Sequence, residues 1–109
     1  MHISVIIPTY NCAGFIDETL QSVVSQLPAD CEVVVVDDGS TDATRERLEK
    51  WEKSTGVRVL LREHRGPSGA RNAGLEAARG EFVTFLDCDD KYREGFFAAA
   101  LPLRRRRTS

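Results

Sequence analysis

Several stretches of this 109-residue chain crowd chemistry-bearing side chains into a few positions. Asp87-Cys88-Asp89-Asp90 sets three carboxylates within four residues, where they repel one another unless a cation offsets their charge. In an extended segment, an Asp-x-Asp spacing turns two carboxylates the same way. Such hard oxygen donors, with open positions left over, suit Mg2+ or Mn2+ shared with a diphosphate. The bland alternative is a solvated acidic turn, with Asp90 partly serving as the cap of a last short helix. Two further clusters are Pro8-Thr9-Tyr10-Asn11 and Asp37-Asp38-Gly39-Ser40-Thr41-Asp42. Within them Asn11, Ser40 and Thr41 read as helix N-caps, Asp42 as a complement to a helix dipole, and Gly39 as a turn residue. The polar neighbours of Tyr10 favour stacking on a ligand ring over closing the core edge. Gly66-Pro67-Ser68-Gly69-Ala70-Arg71 opens a helix whose first turn carries Arg71, placed either to face a diphosphate or to pair with the aspartates. His64, in the polar run before it, reads as surface.

The elements that must position these clusters are legible as hydrophobic runs. Residues 2–7, 31–36, 57–61 and 81–86 are rich in β-branched residues and lack alternation, as strands covered on both faces do. Between them run helical stripes: Ile16, Leu20, Val23 and Leu27, then Thr44, Leu48 and Trp51, then Ala70, Ala73 and Ala77. Gly74 in the third stripe permits close approach of helix to sheet. Glu46 with Lys50 and Glu49 with Lys53 mark a solvated outer face on the second helix. Strands alternating with helices predict an α/β fold, a Rossmann-like parallel sheet with flanking helices. In such a sheet the three polar clusters fall on one rim, outside the carboxyl ends of the strands, where ligands bind.

Composition narrows the function. The formal charge is −2, but Arg104 to Arg107 hold four of the fifteen basic residues, leaving eleven basic against seventeen acidic before them. An acidic body argues against a nucleic-acid surface, which needs clustered positive charge. Residues 1–103 are expected to form one domain, with 104–109 a disordered basic tail. Cys12, Cys31 and Cys88 form no CxxC pair and are odd in number, which predicts free thiols in a reducing cytoplasm. No apolar run reaches the ~20 residues of a membrane span, and no basic-then-apolar leader is present. The expected location is cytoplasmic, or peripheral at the cytoplasmic face of a membrane. A dinucleotide oxidoreductase is excluded because PTYNCAG, not GxGxxG, follows the first strand. An aspartyl-phosphate phosphatase is excluded because its Asp-x-Asp would follow the first strand, not the fourth.

At these residues the sequence resembles the family 2 glycosyltransferases of the GT-A fold. The segments SVIIPTYN, VVVVDDGSTD, GPSGARNAGLEAARGEFVTFLDCDD and REGFFAAAL match the family pattern in order and spacing, over residues 3 to about 101. The resemblance implies the nucleotide-sugar-binding half of a GT-A domain, binding a UDP-sugar with Mn2+ or Mg2+ for inverting transfer to an acceptor hydroxyl. It implies that Pro8 and Tyr10 border the base pocket, that Asp38 receives the uracil N3 proton, and that Arg71 lines the nucleotide. Asp89 would be the direct metal ligand and Asp87 the ribose or water-mediated partner. Family members continue into an acceptor groove and a general base that this chain lacks, so it reads as a truncated enzyme. The alternative is a non-catalytic nucleotide- or metal-binding module acting through a partner. Loss of the second half would uncover the edge of strand four with Phe96, Phe97 and Leu101, which predicts association of copies through that edge.

Overall fold

The computed structural model describes residues 3–88 and the backbone of residues 104–105. The elements run β1 (Ile3–Thr9), α1 (Ile16–Val24), β2 (Glu32–Asp37), α2 (Thr44–Thr55), β3 (Arg58–Leu61), α3 (Pro67–Ala77), β4 (Phe82–Phe85) and β5 (Arg104–Arg105). The sheet order is β3-β2-β1-β4-β5. The first four strands are mutually parallel, with Val5 opposite both Val33 of β2 and Thr84 of β4. The expected α/β architecture is the one observed.

Alternation along the strands sends side chains to two cores. Ile3, Val5 and Ile7 of β1, with Val33 and Val35 of β2, pack against Ile16, Leu20 and Val23 of α1 and Leu48 of α2. On the other face Val34 and Val36 meet Ala70, Ala73 and Ala77 of α3, and Ile6 packs with Ala78 and Val83. With both faces covered, β1 and β2 have no solvent side, which explains why residues 5–7 and 33–36 run apolar without alternation. Small residues let α3 lie close: a Cβ on Gly74 would come within 2.4 Å of Ile6 Cγ2 and 3.2 Å of Val36 Cγ2. On the outer face of α2, Lys53 meets Glu49 at 3.0 Å, an exposed pair worth at most a few tenths of a kcal/mol.

The end of the sheet where the strands begin is closed by a polar network. Ser4 donates to Glu32 at 2.5 Å and accepts from the Gly80 amide at 2.8 Å, while Arg58 donates to both Glu32 and the Ala77 carbonyl at 2.9 Å. The last bond satisfies an orphan carbonyl at the end of α3.

Three expectations are corrected. The helices do not begin at the expected caps: α1 starts at Ile16 after Phe15 and α2 at Thr44 after Ala43, because the polar residues upstream bond across loops instead. Arg104 and Arg105, expected in a disordered tail, pair antiparallel with Val83 and Phe82, so that part of the outer edge of β4 is covered. Cys12 and Cys88 are joined in a disulfide with Cα atoms 6.4 Å apart, a spacing within the usual range. The two cysteines follow β1 and β4, whose adjacency in the sheet no sequence spacing reveals. The argument for a reducing compartment from free thiols therefore loses its footing. Cys31 remains free and buried, and burial pushes its thiol up from the ordinary range.

Candidate functional site

The backbone ladder runs past the strand ends and brings three loops to one rim. The Asp38 amide donates to the Thr9 carbonyl at 2.8 Å, the Arg62 amide to the Asp37 carbonyl at 3.0 Å, and the Leu86 amide to the Ile6 carbonyl at 3.0 Å. A cleft of about 210 Å³ opens there. Pro8, Thr9 and Tyr10 line it from the end of β1 and Asp38 from the end of β2. His64, Pro67, Ala70 and Arg71 line it from the β3–α3 connection and α3, and Asp87 from beyond β4. It lies beside the boundary of β1 and β4, where the strand order reverses, the position at which open α/β sheets hold ligands.

Pro8, Tyr10, Asp38, Arg71 and Asp87, all anticipated from the sequence, thus share one cleft. Asp89, Asp90, Phe96, Phe97 and Leu101 lie outside the described residues. Among the described residues no three His, Cys, Asp or Glu side chains converge to hold a metal.

The two adjacent aspartates do different work. Asp37 is fully buried and braces its own loop, accepting from the Ser40 amide at 3.1 Å, from the Ser40 hydroxyl and from Arg45 Nε at 2.7 Å. Asp38, with a side chain only 5% exposed, turns toward the cleft. Its Oδ1 accepts from the Arg65 amide at 3.1 Å and lies 3.3 Å from Arg62 Nε. Its Oδ2 accepts from the Gly66 amide at 2.9 Å and lies 3.1 Å from His64 Nδ1. The approach to α3 is therefore wrapped around one carboxylate, and Arg62 reaches on to the Gly69 carbonyl in the first turn.

Residues that read as helix caps instead tie the first two loops together. Asn11 has a φ of +50°, a left-handed conformation that asparagine tolerates better than most residues. Its amide donates to Ser40 Oγ at 2.9 Å, and its side-chain carbonyl accepts from the Thr41 amide at 2.8 Å. Asp42 accepts from the Thr44 hydroxyl at 2.5 Å, the Thr44 amide at 2.9 Å and the Ala13 amide at 3.3 Å. These bonds, the hydroxyl first, hold its carboxyl below the usual range. The third loop is anchored by the disulfide and by Thr19 Oγ1, which donates to the Cys88 carbonyl at 2.6 Å.

At the mouth of the cleft Arg71 Nη2 and Asp87 Oδ1 are 4.0 Å apart, and both side chains are at least half exposed. Such a pair is loose and costs little to separate. Tyr10 and His64 stack with ring centroids 4.2 Å apart and planes at 29°. His64, Arg62 and Thr9 were not singled out for the site by residue type. A loop histidine and a strand-end arginine carry no periodic signal, and only the fold brings them to the rim.

Comparison with known proteins agrees with this geometry. The family model for glycosyl transferase family 2 matches residues 4–104. The putative teichuronic acid biosynthesis glycosyltransferase TuaG of Bacillus subtilis is 44% identical over 94 residues, covering 84% of this chain and 37% of TuaG. Among solved structures, S. aureus TarS 1-349 in complex with UDP-GlcNAc has a TM-score of 0.82 at 41% identity, over 90% of this chain and 29% of that one. The Pyrobaculum calidifontis mannosyltransferase PcManGT, in complex with GDP-Man and Mn2+, has a TM-score of 0.74 at 37% identity, over 84% of this chain and 28% of that one. The chain spans between 13% and 37% of the length of the curated relatives it matches.

Proposed function

The chain belongs to glycosyl transferase family 2, a GT-A fold in its solved relatives, and from that premise we propose that its cleft binds the nucleotide of a sugar donor, a UDP-sugar. The observation that carries this reading is the convergence of Tyr10, Asp38, Arg71 and Asp87 on one cleft at the switch point of the sheet. Each supplies one part of what a nucleoside diphosphate requires. Tyr10 presents an aromatic face to the base, beside Pro8. Asp38 offers an acceptor at the base end, which suits the N3–H of uracil and not cytosine, whose N3 carries no hydrogen. Arg71 brings a guanidinium to the diphosphate. The first turn of α3 adds to it, since it contains no acidic residue and its free amides favour an anion.

Asp87 fits a divalent cation by the chemistry of its donor atoms: a mostly exposed carboxylate at the cleft mouth, held only loosely by Arg71. Mg2+ or Mn2+ held directly by Asp89, with Asp87 as its ribose or water-mediated partner, would supply charge neutralisation for the departing diphosphate. The residues of this chain bind and orient the donor. The inverting displacement, in which an acceptor hydroxyl attacks the anomeric carbon as a base takes its proton and UDP departs, draws its base and acceptor groove from elsewhere in the whole enzyme.

Isothermal titration of the chain with UDP, CDP and ADP, each with Mg2+ and with EDTA, tests this reading. UDP is expected to bind best and only with the metal. Equal binding of all three, or the same UDP affinity in EDTA, overturns the base and metal assignments respectively.

A further inference from the structure

If the cleft is a nucleotide site, as this inference requires, His64 stands where a ligand belongs. We propose that His64 is a self-ligand of the base pocket, its imidazole occupying in the free protein the place that uracil takes when the donor binds. Two marks of a bound pyrimidine are both met by this side chain. Its ring lies on Tyr10 with centroids 4.2 Å apart, a stacking distance that leaves no slot for a third ring between them. Its Nδ1 lies 3.1 Å from Asp38 Oδ2 and 3.0 Å from the Asp38 carbonyl oxygen. The carbonyl can only accept, and so can the ionised carboxylate, so Nδ1 carries the proton and donates it as uracil N3–H would.

The inventory of Asp38 explains why the two must compete. A carboxylate has about four acceptor positions, and in this protein four donors approach it. Two are the backbone amides of Arg65 and Gly66, and the third is Arg62, whose side chain is mostly buried and also bound to Gly69. The fourth, His64, has a side chain 56% exposed and can leave by rotation alone. Its backbone need not move, and Gly39 shows how tightly it is seated: a Cβ at Gly39 would fall 2.6 Å from the His64 nitrogen. The present cleft of about 210 Å³ is also below the ~300–1,000 Å³ usual for ligand pockets, and withdrawal of an imidazole enlarges it at the base end.

A self-ligand lowers apparent affinity by the fraction of molecules in which it is out. UDP and pyrophosphate, each titrated in Mg2+ into the wild-type chain and into His64→Ala, measure this. The variant is expected to bind UDP roughly three- to tenfold more tightly and pyrophosphate unchanged. In the wild-type chain the NMR signals of the His64 ring, displaced by the Tyr10 ring current, should move toward free-imidazole positions on saturation with UDP and stay in place with pyrophosphate. Equal or weaker UDP binding by His64→Ala, or His64 signals that do not respond to saturating UDP, overturns the self-ligand while leaving the nucleotide site intact. Failure of both proteins to bind UDP at millimolar concentration overturns the nucleotide reading, and the self-ligand with it.

Discussion

Arg58 donates to Glu32 across 2.9 Å at the end of the sheet remote from the cleft, with the Glu32 side chain only 6% exposed. Burial alone would raise the Glu32 carboxyl. The Ser4 hydroxyl, the Arg79 amide and Arg58 together outweigh it and hold the group below the ordinary range. A carboxyl depressed in the folded state contributes stability above its unfolded value, about 4.3 for glutamate, and loses that contribution as pH falls through the folded value. Glu32→Gln is therefore expected to lower stability by roughly 1–3 kcal/mol at pH 7. The gap to wild type should narrow progressively below about pH 4. Urea unfolding followed across pH 3 to 7 measures it, and a gap independent of pH would remove the linkage.

Replacement of Gly74 by alanine sets two effects against each other. Helix propensity favours alanine by about 1 kcal/mol, but the new Cβ would press within 2.4 Å of the branched, fully buried Ile6. Ile6 has no open direction in which to yield, so overpacking costing typically about 1–3 kcal/mol prevails. A lower urea midpoint for Gly74→Ala is the expected result, and a higher one would show that α3 can lift from the sheet without penalty.

The Cys12–Cys88 bridge closes 76 residues. A cross-link of that span restricts the unfolded chain and is worth about 2–4 kcal/mol. Reduction, or the double variant Cys12→Ser with Cys88→Ser, should lower Tm by on the order of 10 °C or more. Calorimetry with and without reductant checks this, and an unchanged Tm would mean that the bridge adds nothing to the fold.

Arg71 is expected to matter for the diphosphate alone. Arg71→Ala should weaken UDP binding by about tenfold, the worth of a charge-assisted bond, and leave uridine binding unaltered. Equal loss for both ligands would move Arg71 from the diphosphate to the base or to the fold.

The strands, the helices and most of the cleft were legible because each rests on a local signal. Val33 to Val36 can only be a strand covered twice, and the stripe from Ala70 to Ala77 can only be a close-packed helix. What escaped the sequence depends on pairs that meet only after folding. Asn11, Ser40 and Thr41 have the right chemistry for helix caps, yet they bind one another across two loops because β1 and β2 end side by side. The disulfide likewise follows from β4 lying beside β1. The place of His64 on Tyr10 depends on a loop conformation set by Asp38, which no periodicity encodes.

The register of β1 also carries a consequence in time. Its Ile3 pairs with Phe82, so a ribosome must add about 75 residues after the first strand before its second neighbour is complete, several seconds at about 5–20 residues per second. For that interval a strand destined to be buried on both faces has one unsatisfied flank, the condition in which nascent chains adhere to one another. Cys12 must also wait with its thiol open, since its bridge to Cys88 closes only after nearly everything between them has been made.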